Sequence, residues 1–169
     1  MNTKVYWVMV VVVFFVQAFV LNNLSITPLV APMVYIIPLL LLPIETPQWK
    51  LLLAGLITGV LMDITMGTVG LNTMVTLPIA IARRPLLFAL AGISPMSNEE
   101  GAPSVKRMGL RFHRYFIIMV ALHSILFYFA EWLSFDNFGT LILRILCSTL
   151  CTLLLDYIII MLFIKRLSA

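Results

Sequence analysis

An aspartate lies where the surrounding sequence is apolar enough for lipid. The stretch LITGVLMDITMGTVGLN, residues 56–72, holds Asp63 among leucine, isoleucine, valine and methionine. Gly55, Gly59, Asp63 and Gly67 recur at every fourth position, so on a helix they form one slanting stripe. Gly55 and Gly59 make a small-xxx-small pair, which lets a second helix approach closely. The stripe therefore carries Asp63 into a helix contact, where the acid could be a catalytic group, an ion site or a structural tie.

A second polar stripe runs along the last apolar stretch. Arg144, Ser148, Thr152 and Asp156 again recur at every fourth position, so this face must meet protein rather than lipid. Asp156 lies about 18 Å below Arg144 by helix rise, too far to share an ion pair. For Asp156 two roles stay open: a proton or ion relay, or a hydrogen bond to a neighbouring helix.

Depth suggests a partner for Asp63. It lies about 20 Å from the inner edge, counted from Lys50. Arg144 lies about 7 Å from the outer edge, counted from Gly139 on a helix of opposite direction. The two levels match, so we predict an Asp63–Arg144 ion pair. The alternative is that each side chain reaches the outer headgroups separately.

The remaining reactive side chains favour packing over chemistry. His123 has no cysteine or acid at metal-ligand spacing and is expected to be a buried, hydrogen-bonded histidine. Cys147 and Cys151 are four residues apart in an apolar run and are expected to pack against a neighbouring helix. No nucleophile elbow, Walker loop or His-Glu zinc motif is present in the sequence. The sequence therefore predicts a noncatalytic protein without a cofactor or metal.

Composition indicates that the elements that carry these residues lie in a lipid bilayer. The 169 residues are 62% hydrophobic and 11% charged, and the mean hydropathy is +1.10. Soluble domains carry about 25% charged residues, so this is an integral membrane protein by composition. The net charge of +4 does not indicate nucleic-acid binding, because the basic residues flank apolar runs without interleaved aromatic residues.

Six apolar runs predict a single all-α membrane domain over residues 1–169. The predicted spans are 5–21, 29–43, 47–65, 70–84, 113–131 and 141–164. The first is expected to be a retained anchor rather than a cleaved signal peptide. Helix kinks are expected at Pro32, Pro38 and Pro78. Residues 85–111 form a long loop, with a possible interfacial helix at 85–96; alternatively, the fourth span continues past Arg83 and Arg84.

The basic residues predict the orientation. With the N-terminus in the cytoplasm, ten of the eleven Lys and Arg residues lie on the inner side, and loops 22–28, 66–69 and 132–140 hold none. The sequence therefore predicts six spans with both termini inside.

The order of these features resembles a known family. A Pro-interrupted second span precedes a third span that ends in Gly-x-x-x-Asp, followed by a short turn, Gly-Leu-Asn and an Arg-Pro step. In this chain those residues are Gly59, Asp63, Gly67, Gly70-Leu71-Asn72 and Arg84-Pro85. Over nearly its whole length the chain resembles the rod shape-determining protein MreD family.

The resemblance implies a scaffold of the bacterial cell-elongation machinery in the cytoplasmic (inner) membrane. Its partners would be the bitopic protein MreC and, through it, MreB filaments and peptidoglycan synthases, with membrane lipid around it. The implied fold is similar to the substrate-binding subunits of energy-coupling-factor transporters, so a small-solute-binding transport subunit is the alternative. Those subunits typically carry an Ala-x-x-x-Ala pair in the first helix, whereas this chain has only Ala18 there.

Overall fold

The computed structural model describes residues 3–23, 30–91, 101–104, 108–131 and 138–167, and most of these residues are helical, with no strand among them. The α-helices are α1 (Thr3–Phe15), α2 (Ile37–Leu40), α3 (Gln48–Met66), α4 (Leu71–Ala91), α5 (Leu110–Glu131) and α6 (Phe138–Leu167). A π-helical turn at Val16–Val20 and a 3₁₀ turn at Leu21–Asn23 extend α1, and a 3₁₀ turn at Val34–Ile36 precedes α2.

Five of these helical stretches are long and apolar enough to cross a membrane, which makes the chain an all-α membrane protein. They are Thr3–Asn23, Gln48–Met66, Leu71–Leu90, Leu110–Glu131 and Gly139–Phe163. Each contains most of a predicted span. Their outward faces carry large exposed apolar side chains such as Trp7, Ile64 and Leu154, as expected of surfaces that face lipid.

The second predicted span, 29–43, does not form a membrane-spanning helix. Its described part contains only the 3₁₀ turn and the four-residue α2. Pro32 and Pro38 explain the break, because proline lacks the N–H that continues a helix and disfavours helical backbone at the preceding residue. We call residues 30–43 the central segment, because its side chains from Met33 to Leu41 are buried.

The central segment runs antiparallel to α1. Near its start, Gln17 contacts both Pro32 and Val34, and near its end the Tyr6 hydroxyl donates to the Pro38 carbonyl at 3.0 Å. Along the central segment the contacts therefore move from Gln17 back to Tyr6 on α1, eleven residues or about 16 Å toward the start of that helix. As a result, α3 begins at the same end of the bundle as α1.

α3 and α4 form a close helical hairpin at the predicted glycine pair. A Cβ atom built on Gly59 would lie 2.5 Å from the Thr73 Cα, and one on Gly55 would lie 3.0 Å from the Ala80 Cβ. Only glycine allows the two backbones to approach this closely at Gly59. The stripe that holds Asp63 therefore faces α4.

α4 continues beyond the predicted end of the fourth span. Pro78 lies inside this helix, and so does Pro85, at which the sequence predicts the start of a separate interfacial helix over 85–96. Residues 92–96 of that helix lie outside the described residues. The continuation past Arg83 and Arg84 occurs, but Arg83 does not extend to the headgroups: its side chain is fully buried and donates to the carbonyls of Leu40 and Leu42.

The predicted loop 85–111 is described only in part between α4 and α5. Gly101 accepts a hydrogen bond from the Ile44 N–H at 2.9 Å and donates to the Glu45 carboxylate at 2.7 Å. Gly101 to Ser104 therefore lie at the end of the bundle where the central segment joins α3.

Candidate functional site

Asp63 serves as a capping residue for a neighbouring helix. Its Oδ1 accepts the backbone N–H of Asn72 at 2.8 Å, and its Oδ2 accepts that of Thr73 at 3.0 Å. These N–H groups belong to the first turn of α4, where a helix has no internal acceptors for them. The helix dipole also favours a negative charge at this end. A carboxylate supplied by α3 thus stabilises the start of α4.

Side chains complete the coordination of the same carboxylate. The hydroxyls of Thr68 and Thr73 donate at 2.5 and 2.6 Å, and the Asn72 side-chain amide donates at 3.1 Å. Asp63 therefore accepts five hydrogen bonds from the turn and the first residues of α4. Charge-assisted hydrogen bonds of this kind are the strong ones, and they satisfy an acid that is only 8% exposed.

The α3–α4 turn depends on two glycines. Gly67 ends α3 with φ of +66°, and Gly70 precedes α4 with φ of +79°. Both values lie in the left-handed region, which glycine adopts without steric cost. The turn folds back tightly enough for Thr68 and Asn72 to reach Asp63, so the two glycines position the donors of the cap.

A hydrogen-bond chain links this cap to the centre of the bundle. The Asn72 amide donates to Asp63, so its Oδ1 is the atom that accepts from the Tyr35 hydroxyl at 2.9 Å. Tyr35 has one proton and gives it to Asn72, so His123, at 2.9 Å from the same oxygen, must donate from Nε2. The hydrogen bonds therefore run from His123 to Tyr35, from Tyr35 to Asn72 and from Asn72 to Asp63. They join α5, the central segment, α4 and α3.

One end of this chain remains open. The Nδ1 atom of His123 is buried and has no hydrogen-bond partner among the described residues. In the tautomer fixed by Tyr35 this nitrogen carries a lone pair. His123 is thus buried and hydrogen-bonded, as the sequence predicted.

The surrounding helices satisfy the backbone of the central segment with side chains. Gln17 donates to the Pro32 carbonyl at 3.2 Å and accepts the Val34 N–H at 2.8 Å. The further ties are Ser148 to the Ala31 N–H, Thr152 to the Met33 N–H, Tyr128 to the Ala31 carbonyl, and Tyr115 and Arg83 to the Leu40 carbonyl. Non-helical backbone is tolerated at membrane depth only where protein or water satisfies it. The ties therefore allow the broken segment to lie inside the bundle.

The predicted Asp63–Arg144 ion pair does not form. Arg144 Nη2 instead lies 3.6 Å from the Glu131 carboxylate, and its guanidinium carbon lies 5.5 Å from the Tyr128 ring centroid. The prediction was wrong because helix rise fixes depth but not rotation. Asp63 is also already saturated by donors within ten residues of it along the chain.

Three residues of the second stripe face the bundle interior as predicted. Ser148, Thr152 and Asp156 are 1%, 1% and 0% exposed. Ser148 and Thr152 bind the central segment, but neither carboxyl oxygen of Asp156 has a hydrogen-bond partner among the described residues. The expected hydrogen bond from Asp156 to a neighbouring helix is therefore not made by the described part of the chain.

A polar cavity opens at the end of the bundle where α3 and α5 end. Its volume is about 820 Å³, within the range of small-molecule sites. Its polar lining comes from Gln17, Asn22, Asn23, Thr65, Thr68, Tyr128, Glu131 and Arg144. The Asp63 carboxylate does not line this cavity, because the cap turns it toward α4.

Several buried groups that organise the bundle carried no clear sequence signal. Tyr6, Tyr35, Tyr115 and Tyr128 use their hydroxyls inside the bundle, although tyrosine in a membrane protein more often marks an interface. The positive-inside pattern predicts Arg83 as a charge at the inner edge, whereas its side chain is buried. The guanidinium of its neighbour Arg84 instead lies over an aromatic ring, with its carbon 5.5 Å from the Phe88 ring centroid. The one available signal for these groups is the Pro-interrupted segment, because its non-helical backbone needs side-chain donors and acceptors inside the bundle.

The described residues contain no group of three or more His, Cys, Asp or Glu side chains placed to hold a metal ion. Cys147 and Cys151 are half-buried free thiols.

Comparison with known proteins finds no matching family model, curated protein or solved structure.

Proposed function

We propose that the chain is a noncatalytic membrane scaffold of the bacterial cell-elongation machinery, of the MreD type. In this role it would bind an MreC-like bitopic protein in the cytoplasmic membrane and, through it, connect MreB filaments with peptidoglycan synthases. The proposal rests on the motif that carries the resemblance, Gly-x-x-x-Asp followed by Gly-Leu-Asn.

The observation that supports this proposal is that Asp63 caps α4. The acid in the membrane is held by five donors of the α3–α4 hairpin and is turned away from the polar cavity. Both halves of the motif, Asp63 and Asn72, therefore serve one structural element. A residue committed to capping a helix suits a protein that positions partners.

The central segment supports the proposed topology of six crossings with both termini inside. Because this segment descends alongside α1, it returns the chain to the end where α1 began without being a spanning helix. The six crossings would then be five helices and one buried irregular segment. A reporter fused at residue 136 is expected to be extracytoplasmic, and cytoplasmic activity of that fusion would refute the orientation.

Affinity purification from mild detergent tests the scaffold proposal. The tagged chain, expressed in its own host, is expected to retain a single-span protein with an extracytoplasmic coiled coil. Depletion of the chain in the same host is expected to convert rods to rounded cells. An ATPase module in the purified complex, with cell shape unchanged on depletion, would overturn the proposal.

One observation favours a second candidate, a small-solute-binding subunit of an energy-coupling-factor-type transporter. The cavity of about 820 Å³ is polar and open at the proposed outer face. Equilibrium dialysis of the purified chain against a panel of vitamins separates the two candidates. Tight, saturable binding that is lost in Arg144→Ala would support transport; no binding across the panel would remove this candidate.

A further inference from the structure

A lateral groove runs between α1 and α3 and is lined by residues of these two helices and the central segment. Its floor is the central segment, including Pro38 and Leu39, and its volume is about 620 Å³. The walls are almost entirely apolar, with Val11 and Phe14 on α1 facing Ala54 and Ile57 on α3. We call this feature the α1–α3 groove.

The α1–α3 groove carries positive charge at one end. Lys50 lines it on the α3 side, in the same helical row as Ala54 and Ile57. On the α1 side, Lys4 is exposed and lies three and seven residues before Trp7 and Val11, which line the groove. Residues at these spacings share a helix face, so Lys4 lies at the rim of the opposite wall.

Both lysines lie at the same end of the groove. Because the central segment descends alongside α1, both helices start at this end and run in the same direction. Trp7 also lines the groove here, and Trp49 lies beside Lys50, with the Lys50 Nζ 5.4 Å from its ring centroid. Tryptophan and lysine together are typical of the headgroup level of a membrane.

We propose that the α1–α3 groove is a binding site for an anionic phospholipid. The acyl chains would lie along the apolar walls, and the phosphate would lie between Lys4 and Lys50. The walls extend about 16 Å from Lys50 to Leu61 by helix rise, which is half the thickness of a bilayer's hydrocarbon core and suits one leaflet. This inference goes beyond the proposed function and does not depend on it.

Charge decides between a lipid and the transmembrane helix of a protein partner. A partner helix with the same orientation would carry its own lysines and arginines at its inner end, by the positive-inside rule. Those charges would meet Lys4 and Lys50 at close range and repel them. An anionic headgroup brings the complementary charge, and each lysine near an anionic lipid surface contributes about fivefold in affinity.

Native mass spectrometry of the purified full chain tests the proposal. The chain in neutral detergent is titrated with phosphatidylglycerol and, separately, with phosphatidylcholine of the same acyl chains. Preferential retention of phosphatidylglycerol is expected. Lys50→Gln should reduce that preference about fivefold, and Lys4→Gln with Lys50→Gln should abolish it. Arg114→Gln, a basic residue on α5 outside the groove, is the matched control and should leave the preference unchanged.

A second variant tests the walls of the groove. Ala54→Phe places a ring in the α1–α3 groove and should lower retention of both lipids, with circular dichroism showing the wild-type helix content. Equal retention of the two lipids by the wild type would overturn the proposal. So would unchanged retention in Ala54→Phe, or a partner-protein helix cross-linked to a photoreactive residue at Ile57 in native membranes.

Discussion

The Asp63 carboxylate on α3 accepts both the backbone N–H and the side-chain amide of Asn72 at the start of α4, at 2.8 and 3.1 Å. An acid from one helix thus caps the next helix across a short turn. This arrangement explains why a charged group is retained in a span where an isolated carboxylate would be costly. It also explains why Gly67, Gly70 and Asn72 accompany the acid.

Removal of the cap should destabilise the hairpin. Loss of an N-cap side chain costs about 0.5–2 kcal/mol, and the buried donors left without an acceptor cost more. We therefore expect Asp63→Ala to lower the free energy of unfolding by about 2–4 kcal/mol. Asp63→Asn should lose less, because one oxygen is kept. SDS-induced unfolding in mild detergent measures both.

Glu131→Gln is the control for the cap variants. Glu131 is 39% exposed and pairs with Arg144 at 3.6 Å, so its change should cost at most about 1 kcal/mol. Equal losses in Asp63→Ala and Glu131→Gln would show that the cap contributes no more than a surface acid.

Gly59→Ala should separate α3 from α4. A Cβ there would lie 2.5 Å from the Thr73 Cα and 2.9 Å from the Thr73 nitrogen, and backbone atoms cannot rotate away. We expect a loss of about 1–3 kcal/mol, as for other overpacked contacts. Gly139→Ala on α6 is matched to it, because nothing lies within 4 Å of a Cβ at that glycine. A Gly59→Ala protein as stable as the Gly139→Ala protein would argue against close packing.

The ties to the central segment predict a difference between two threonines of α6. Thr152 accepts the Met33 N–H at 3.1 Å, whereas the buried Thr149 hydroxyl has no partner among the described residues. Thr152→Val should cost about 1–3 kcal/mol, because a buried N–H loses its acceptor, and Thr149→Val should be neutral or stabilising. If the two isosteric changes unfold alike, Thr152 does not support the segment.

Asp156 should behave in the opposite way to Asp63. Its two carboxyl oxygens are buried without a partner among the described residues, so Asp156→Ala removes an unsatisfied group. We expect unchanged or increased thermal stability. A marked loss would mean that the carboxyl group makes a stabilising contact. Loss of cell-shape function at full stability would instead assign this acid the relay role.

Hydrophobic patterning predicted the long helices because lipid requires their length and apolar character. The third span was expected at 47–65 and is α3 at Gln48–Met66; the sixth was expected at 141–164 and lies within α6. The second span failed because an apolar run with two prolines has the length of a span without the backbone donors of a helix. Apolar residues buried by protein and those facing lipid look alike in sequence.

The partners of Asp63 could have been predicted from local rules. Two glycines and a short turn place the first N–H groups of the next helix within reach of an acid at the end of the previous one. Depth alone instead favours Arg144, a distant residue at the same level whose rotation about its helix axis helix rise does not fix. The links from Tyr35 to Asn72 and His123 join three separate elements, so no spacing along the chain indicates them.

Double-mutant cycles on the free energy of unfolding test most directly the claim that Asp63 of α3 caps α4. The cycle of Asp63→Ala with Thr73→Ala should show a coupling of about 1 kcal/mol or more, since the Thr73 hydroxyl donates to the Asp63 carboxylate at 2.6 Å and each single change removes this hydrogen bond. The cycle of Asp63→Ala with Arg144→Ala should show a coupling below about 0.5 kcal/mol. Strong coupling to Arg144, with none to Thr73, would contradict the capping role.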